Sequence, residues 1–160
     1  MIRKLDEKDF AEAVNVICTS FMTVAKEYGF TKENAPYFTA FATDENKLKT
    51  WMYEQGRPMY GYFDEGKMVG YYNMLIKGDE CELGSLSVLP EYRHKNIGRT
   101  LVKDSFVKAS ELGCKVMKLS IVEENTILRM WYEDLGFVHT GTVKFDFFPF
   151  TCGYLEKEIS

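Results

Sequence analysis

Leu86-Ser87-Val88-Leu89-Pro90-Glu91-Tyr92-Arg93-His94-Lys95-Asn96-Ile97-Gly98-Arg99-Thr100-Leu101 carries a strand into a helix through a polar, basic loop. The apolar run stops at Pro90 and a helix opens near Gly98. Helix N-termini leave backbone N–H groups unpaired and carry partial positive charge, so they bind phosphate well. Gly98 lets the backbone approach a bulky pyrophosphate with no Cβ in the way. Arg93, Lys95 and Arg99 add cationic donors. The segment is neither a Gly-Lys-Ser/Thr phosphate loop nor a GxGxxG dinucleotide turn. On charge alone, an ordinary strand-to-helix turn with a solvated loop accounts for it better.

Working outward, strands are predicted over Glu80–Val88, Met68–Ile76 and Met59–Phe63, joined by turns at Lys77-Gly78-Asp79 and Asp64-Glu65-Gly66. They form an antiparallel meander. Ahead of it, Ile2–Leu5 is a short strand, and Asp6 with Asp9 opens a helix as an acidic capping box. Phe10, Val14, Ile17 and Phe21 recur at helical spacing, and Gly29 stops the helix. Residues 30–43 read as irregular. A second helix runs from Asp44 or Glu45 to Glu54, closed by Gly56 and Pro58.

Downstream, a helix is predicted from Ile97 to Leu112, with Leu101, Ser105, Ala109 and Leu112 down one side and Gly113 past its end. Val116–Val122 is a strand. Asn125 caps a helix whose inner face is Ile127, Leu128, Trp131 and Leu135, ended by Gly136. Closing strands span Val138–Phe147 and Gly153–Ile159. The order is β-α-α-β-β-β-α-β-α-β-β. Glu80 to Val122 is a strand–helix–strand passage, which makes a parallel pair with a right-handed crossover.

The chain has 160 residues, a hydrophobic fraction of 46% and a charged fraction of 28%, ordinary values for one self-sufficient domain. Net charge is −4 and the pI about 5.3, with only short basic clusters such as Arg93-His94-Lys95, which speaks against nucleic acid as a partner. No stretch is long enough to span a bilayer. Cys18, Cys81, Cys114 and Cys152 form no metal-ligand cluster, so no metal is expected, and they read as free thiols of a cytoplasmic protein.

Val88-Leu89-Pro90-Glu91-Tyr92-Arg93 followed by Ile97-Gly98 and Leu101 resembles the pyrophosphate motif Arg/Gln-x-x-Gly-x-Gly/Ala of the GCN5-related N-acetyltransferase (GNAT) family. Arg93 and Gly98 match it. Asn96 stands at the family's usual first glycine, and Asn tolerates positive φ better than other non-glycine residues. Asn125-Thr-Ile-Leu-Arg-Met-Trp-Tyr132-Glu-Asp-Leu-Gly136-Phe137 resembles the family's Asn…Tyr…Gly-Phe signature. The signature assigns Asn125 and Tyr132 to the cofactor site; read alone, Asn125 is equally a simple N-cap, a role it can hold at the same time, and Tyr132 an amphipathic core tyrosine. The resemblance covers roughly residues 1–145 and is strongest over 80–137.

The resemblance implies a mixed α/β (α+β) fold, a mostly antiparallel sheet of about seven strands flanked by about four helices, as a single acetyltransferase domain over 1–160. It implies acetyl-CoA as co-substrate. Amides of His94, Lys95, Asn96, Ile97, Gly98, Arg99 and Thr100 would cradle the pyrophosphate, and backbone of Leu86, Ser87 and Val88 would pair with the pantetheine arm. The acetyl group would pass to a primary amine of a small molecule or peptide by direct attack in a ternary complex. Tyr132 would protonate the departing sulfur, and Val88 N–H would serve the oxyanion.

Glu82 would be the base, directly or through water, with Glu123 and Glu124 as fallbacks or water alone in their place, and a bulge at Gly84-Ser85 would redirect Glu82. Tyr37, Phe38, Tyr72, Asn73, Phe147, Phe148 and Phe150 would line the acceptor pocket. His139 reads as a strand residue without catalytic duty. The rival readings are an acyl-CoA-binding sensor or subunit with little transfer, a different acyl transfer, and a structural module forming a homodimer through its aromatic C-terminal hairpin.

Overall fold

The computed structural model describes residues 1–159. Seven strands form one sheet in the order β1-β2-β3-β4-β5-β7-β6. They are β1 (Ile2–Lys4), β2 (Met59–Asp64), β3 (Lys67–Lys77), β4 (Glu80–Val88), β5 (Val116–Val122), β6 (Val138–Val143) and β7 (Cys152–Glu158). Only β4 and β5 run parallel, as the strand–helix–strand pattern required, and every other pair is antiparallel. The helices are α1 (Phe10–Tyr28), α2 (Thr39–Ala42), α3 (Glu45–Lys49), α4 (Ile97–Glu111) and α5 (Thr126–Asp134). No described helix is long and apolar enough to cross a membrane.

The local chemistry that starts and stops these elements is the chemistry visible in the sequence. The Asp6 carboxylate accepts from Lys8 N–H, and the Asp9 carboxylate accepts from Asp6 N–H at 3.0 Å. Asp9 also takes both Arg3 guanidinium arms, at 2.9 and 3.0 Å, which holds its pKa below the usual carboxylate range. Gly29 closes α1 at φ +72°, a conformation that costs glycine nothing.

In β3 every residue from Met68 to Met74 is buried. Side chains alternate across a strand, so both faces of the sheet are covered. A Cβ on Gly70 would meet Leu101 and Ile97, and the Tyr72 hydroxyl donates to Asp104 at 2.6 Å, so α4 covers that face. The helix α1, through Phe10, Ala13, Val16 and Ile17, packs on β3 and β4 and covers the other.

Several expectations need correction. Residues 30–43 are not wholly irregular, because α2 forms after Phe38 docks into an aromatic cluster with Phe21, Phe30 and Phe150. The second helix keeps its expected span to Glu54, but its last stretch, Thr50–Glu54, widens into a π turn. Leu112 lies one residue beyond the last residue of α4 and is half exposed, unlike Leu101, Ser105 and Ala109. In α5 the inward stripe is Leu128, Trp131, Tyr132 and Leu135, spaced i, i+3, i+4, i+7. Ile127 falls one step, about 100°, off that stripe and is 80% exposed. Strand β6 ends at Val143 rather than Phe147. There Phe145 stacks on Phe147, Phe147 meets Phe148 at a tilt, Phe148 stacks on Phe150, and Lys144 Nζ donates to the carbonyls of Phe145 and Phe148. Side-chain stacking takes the chain out of the sheet.

Candidate active site

Strands β4 and β5 pair only at Glu80–Glu82 with Val116–Lys118 and then separate. The cause lies on the β3 side of β4. Tyr71 pairs with Ser87 and Asn73 with Gly84, so β4 spends one more residue than β3 across this interval. The surplus is a bulge in which Ser85 adopts φ +51° and Ser87 Oγ donates to the Ser85 carbonyl at 2.7 Å. Beyond it, Leu89 N–H donates to Val69 O on β3. Successive strand amides point to opposite edges, so Val88 N–H faces the gap between β4 and β5.

That gap opens into a cavity of about 860 Å³. Its walls come from two strands, three helices and the loop before α4. β4 gives Leu83, Ser85, Leu86, Ser87 and Val88, and β5 gives Leu119, Ser120 and Ile121. The loop before α4 gives Arg93, His94 and Asn96, and the first turn of α4 gives Ile97, Gly98 and Arg99. Asn125, Leu128, Trp131 and Tyr132 of α5 close the opposite side, and α1 contributes Ser20, Thr23, Val24 and Glu27. Tyr37, Phe38, Phe148 and Phe150 border the remaining end.

At the loop, His94 has φ +64° and Asn96 φ +63°. Two left-handed residues in three turn the chain sharply into α4. The Asn96 side chain makes no cap, so no side chain takes up the first-turn N–H groups of α4. Uncapped helix amides beside Arg99 suit a phosphate. Gly98 approaches the Trp131 ring, to which an added Cβ would stand at 3.4 Å.

Arg93 is committed elsewhere than expected. Its guanidinium donates to Thr23 Oγ1 at 3.1 Å, Ser20 O at 3.1 Å and Ser20 Oγ at 3.2 Å, tying the loop to α1. Burial draws its pKa down, with Glu91 acting the other way.

Tyr132 is buried at 6% exposure, packed edge-on against Trp131 and Phe137. Its hydroxyl has no hydrogen-bond partner among the described residues yet is not sealed from the cavity. Burial pushes its pKa well above the ordinary tyrosine value. Asn125 caps α5 by accepting from Leu128 N–H at 3.2 Å, and it also lines the cavity.

Other candidates stand apart from this space. Lys95 lies over the Tyr92 ring, and Thr100 Oγ1 donates to Asn96 O, neither lining the cavity. Glu82 is exposed and off its wall. Glu123 is held by Arg129 and by His139 at 2.9 Å, and Glu124 accepts from Thr151 N–H. Tyr72 and Asn73 are corrected by the fold: Tyr72 sits under α4 on Asp104, and Asn73 is sealed between Tyr71 and Arg57. The sequence reading missed the contribution of α1. Ser20, Thr23 and Glu27 recur at i, i+3, i+7 as a polar stripe beside the apolar one, a signal that was there to be read.

A partly parallel sheet that splays around an uncapped helix N-terminus, with a buried phenol opposite, defines an acetyl-CoA-dependent N-acyltransferase. A profile described as the acetyltransferase (GNAT) family matches residues 21–137. The chain belongs to that family.

Among curated proteins it is 26% identical over 107 residues to the [ribosomal protein bS18]-alanine N-acetyltransferase of Escherichia coli strain K12, covering 66% of this chain and 72% of that one. It is 29% identical over 87 residues to the spermidine N(1)-acetyltransferase of Thermoplasma acidophilum, 54% of each chain. The Escherichia coli ribosomal-protein-S18-alanine N-acetyltransferase structure superposes with TM-score 0.77 at 18% identity, covering 100% of this chain and 94% of that one. The paia N-acetyltransferase of Thermoplasma acidophilum, solved with coenzyme A, gives 0.76 at 22% identity, covering 99% and 98%.

Proposed function

We propose that this single domain binds acetyl-CoA between β4 and β5 and delivers the acetyl group to a primary amine of a small molecule or peptide, with Tyr132 as the proton donor. The observation that carries the reading is the splay itself. It leaves the edge of β4 unpaired where Val88 N–H faces the cavity, and it ends at the bare amides of α4. The residues present fit the co-substrate. The α4 amides and Arg99 would hold its phosphates, and the edge of β4 at Leu86 and Val88 would hold its pantetheine amides.

The thioester supplies the activated acetyl group. An alkylammonium, with an ordinary pKa of ~10, must lose a proton before it can attack. Glu82 is off the cavity wall, so this reading gives the proton to water at the open end. Val88 N–H would meet the charge that develops on the carbonyl oxygen, a preorganised donor worth roughly 10²–10³ in rate. The Tyr132 phenol, kept protonated by burial, would give its proton to the departing sulfur. Four unpaired cysteines fit a reducing, cytoplasmic setting.

Melting temperature with acetyl-CoA, against NADH and ATP, tests the assignment. A ligand at a hundred times its dissociation constant stabilises by ~2.7 kcal/mol. Each kcal/mol moves the midpoint of a chain this size by roughly 2–4 °C. A shift with acetyl-CoA alone supports the site. No shift at saturation would sink it.

A further inference from the structure

The two ends of the cavity differ in charge and in surface. One end carries Arg93, His94, Arg99 and the α4 amides. Along α1, Ser20 and Thr23 are bound to Arg93, and Glu27 follows one turn beyond Thr23 on the same side. Glu27 is the sole carboxylate among the residues lining the cavity. It takes part in no hydrogen bond or ion pair among the described residues. It adjoins Tyr28, which stacks on Phe30 at 5.9 Å, and Phe30 meets Phe150 at 4.9 Å. Phe150 in turn stacks on Phe148 at 4.6 Å and meets Phe38 edge-on. Tyr37, 65% exposed, touches Phe147 edge-on at 5.8 Å and so frames the opening from two separate loops.

We infer that the acceptor is a monoamine with a flat apolar body, its single ammonium recognised by Glu27 and its body held between the aromatic walls. This rests on the acetyltransferase reading above and narrows it. The charge count decides the class. One lining carboxylate matches one ammonium, since Glu124 is turned onto Thr151 N–H and off the cavity wall. A polyamine or aminoglycoside would bring further cations against Phe38, Phe148 and Phe150, beside Lys144, whose Nζ already holds the Phe148 carbonyl, at a desolvation cost. A flat apolar group covers the half-buried Phe148 and the exposed Tyr37, and gains from edge-on and stacked contact there. Glu27 therefore sets specificity; it is not assigned a proton-transfer step.

The test is calorimetry on the full chain saturated with coenzyme A, titrated with phenethylamine, spermidine and an alanyl peptide. Phenethylamine should bind tightest. Glu27→Gln should weaken it about tenfold, the scale of one lost charge-assisted hydrogen bond. Glu33→Gln, which removes a carboxylate from the neighbouring loop off the cavity wall, should leave it unchanged. In turnover, Glu27→Gln should raise the amine KM far more than it lowers kcat. Tighter spermidine or peptide binding, no binding of phenethylamine, or an unaltered Glu27→Gln would overturn the inference while coenzyme A binding upheld the parent reading. Failure to bind coenzyme A would remove both.

Discussion

The side-chain amide oxygen of Asn73 occupies the place where a Cβ on Gly84 would stand. Asn73 is fully buried, accepts from Arg57 at 3.1 Å and donates to the Tyr71 hydroxyl at 3.0 Å. It cannot retreat without breaking those bonds. Gly84 is the last residue paired before the β4 bulge, so the clash would fall on the feature that separates β4 from β5. Gly84→Ala should cost about 1–3 kcal/mol in denaturant unfolding and weaken acetyl-CoA binding. Adding Asn73→Ala should cost less than the sum of the two single changes, because the space is then free. Strict additivity would show that the two groups do not compete.

Tyr132→Phe isolates the phenol from the ring. The hydroxyl has no partner to lose, so stability should stay within about 0.5 kcal/mol. Calorimetric affinity for coenzyme A should hold within roughly twofold while kcat falls about 10²-fold, the lower range for a lost general acid. Equal losses in both would reassign Tyr132 to binding.

The pH profile of kcat/KM carries a sign. Burial disfavours the Tyr132 phenolate, so its pKa lies above the ordinary value and the acid form survives to higher pH. Activity should climb as the amine deprotonates and show no descending limb below about pH 10, the ordinary tyrosine pKa. A fall beginning near pH 8 would point to a different acid.

Asn96 at φ +63° separates the turn from the side chain. Asn96→Gly should keep or tighten acetyl-CoA binding, since glycine adopts that region freely. Asn96→Val should cost roughly 1–2 kcal/mol, the left-handed penalty, and lower the affinity. Thermal melts with and without ligand separate the two effects.

Arg93 is a structural clamp as well as a cavity residue. One planar fork reaches Thr23 and Ser20 together, a geometry an ammonium does not reproduce. Arg93→Lys should therefore lower the melting temperature of the ligand-free chain, by several degrees if each lost bond is worth ~0.5–1.5 kcal/mol. An unchanged melt with weaker acetyl-CoA binding would return Arg93 to the phosphates.

The sequence alone determined what depends on near neighbours. Capping at Asp6 and Asn125, the stop at Gly29, the meander turns and the parallel β4–β5 pair follow from spacing and residue chemistry, and the family motifs located the loop at 93–98. Asn96 could be judged compatible with a left-handed turn because backbone sterics are local. What only the tertiary structure decided involves residues far apart in the chain. Arg93 turned to α1 seventy-odd positions away, and Tyr72 and Asn73 were consumed by Asp104, Tyr71 and Arg57. Glu27 came to the cavity because α1 lies across the splay. A side chain's partners are set by which elements meet, and periodicity along one element is blind to that.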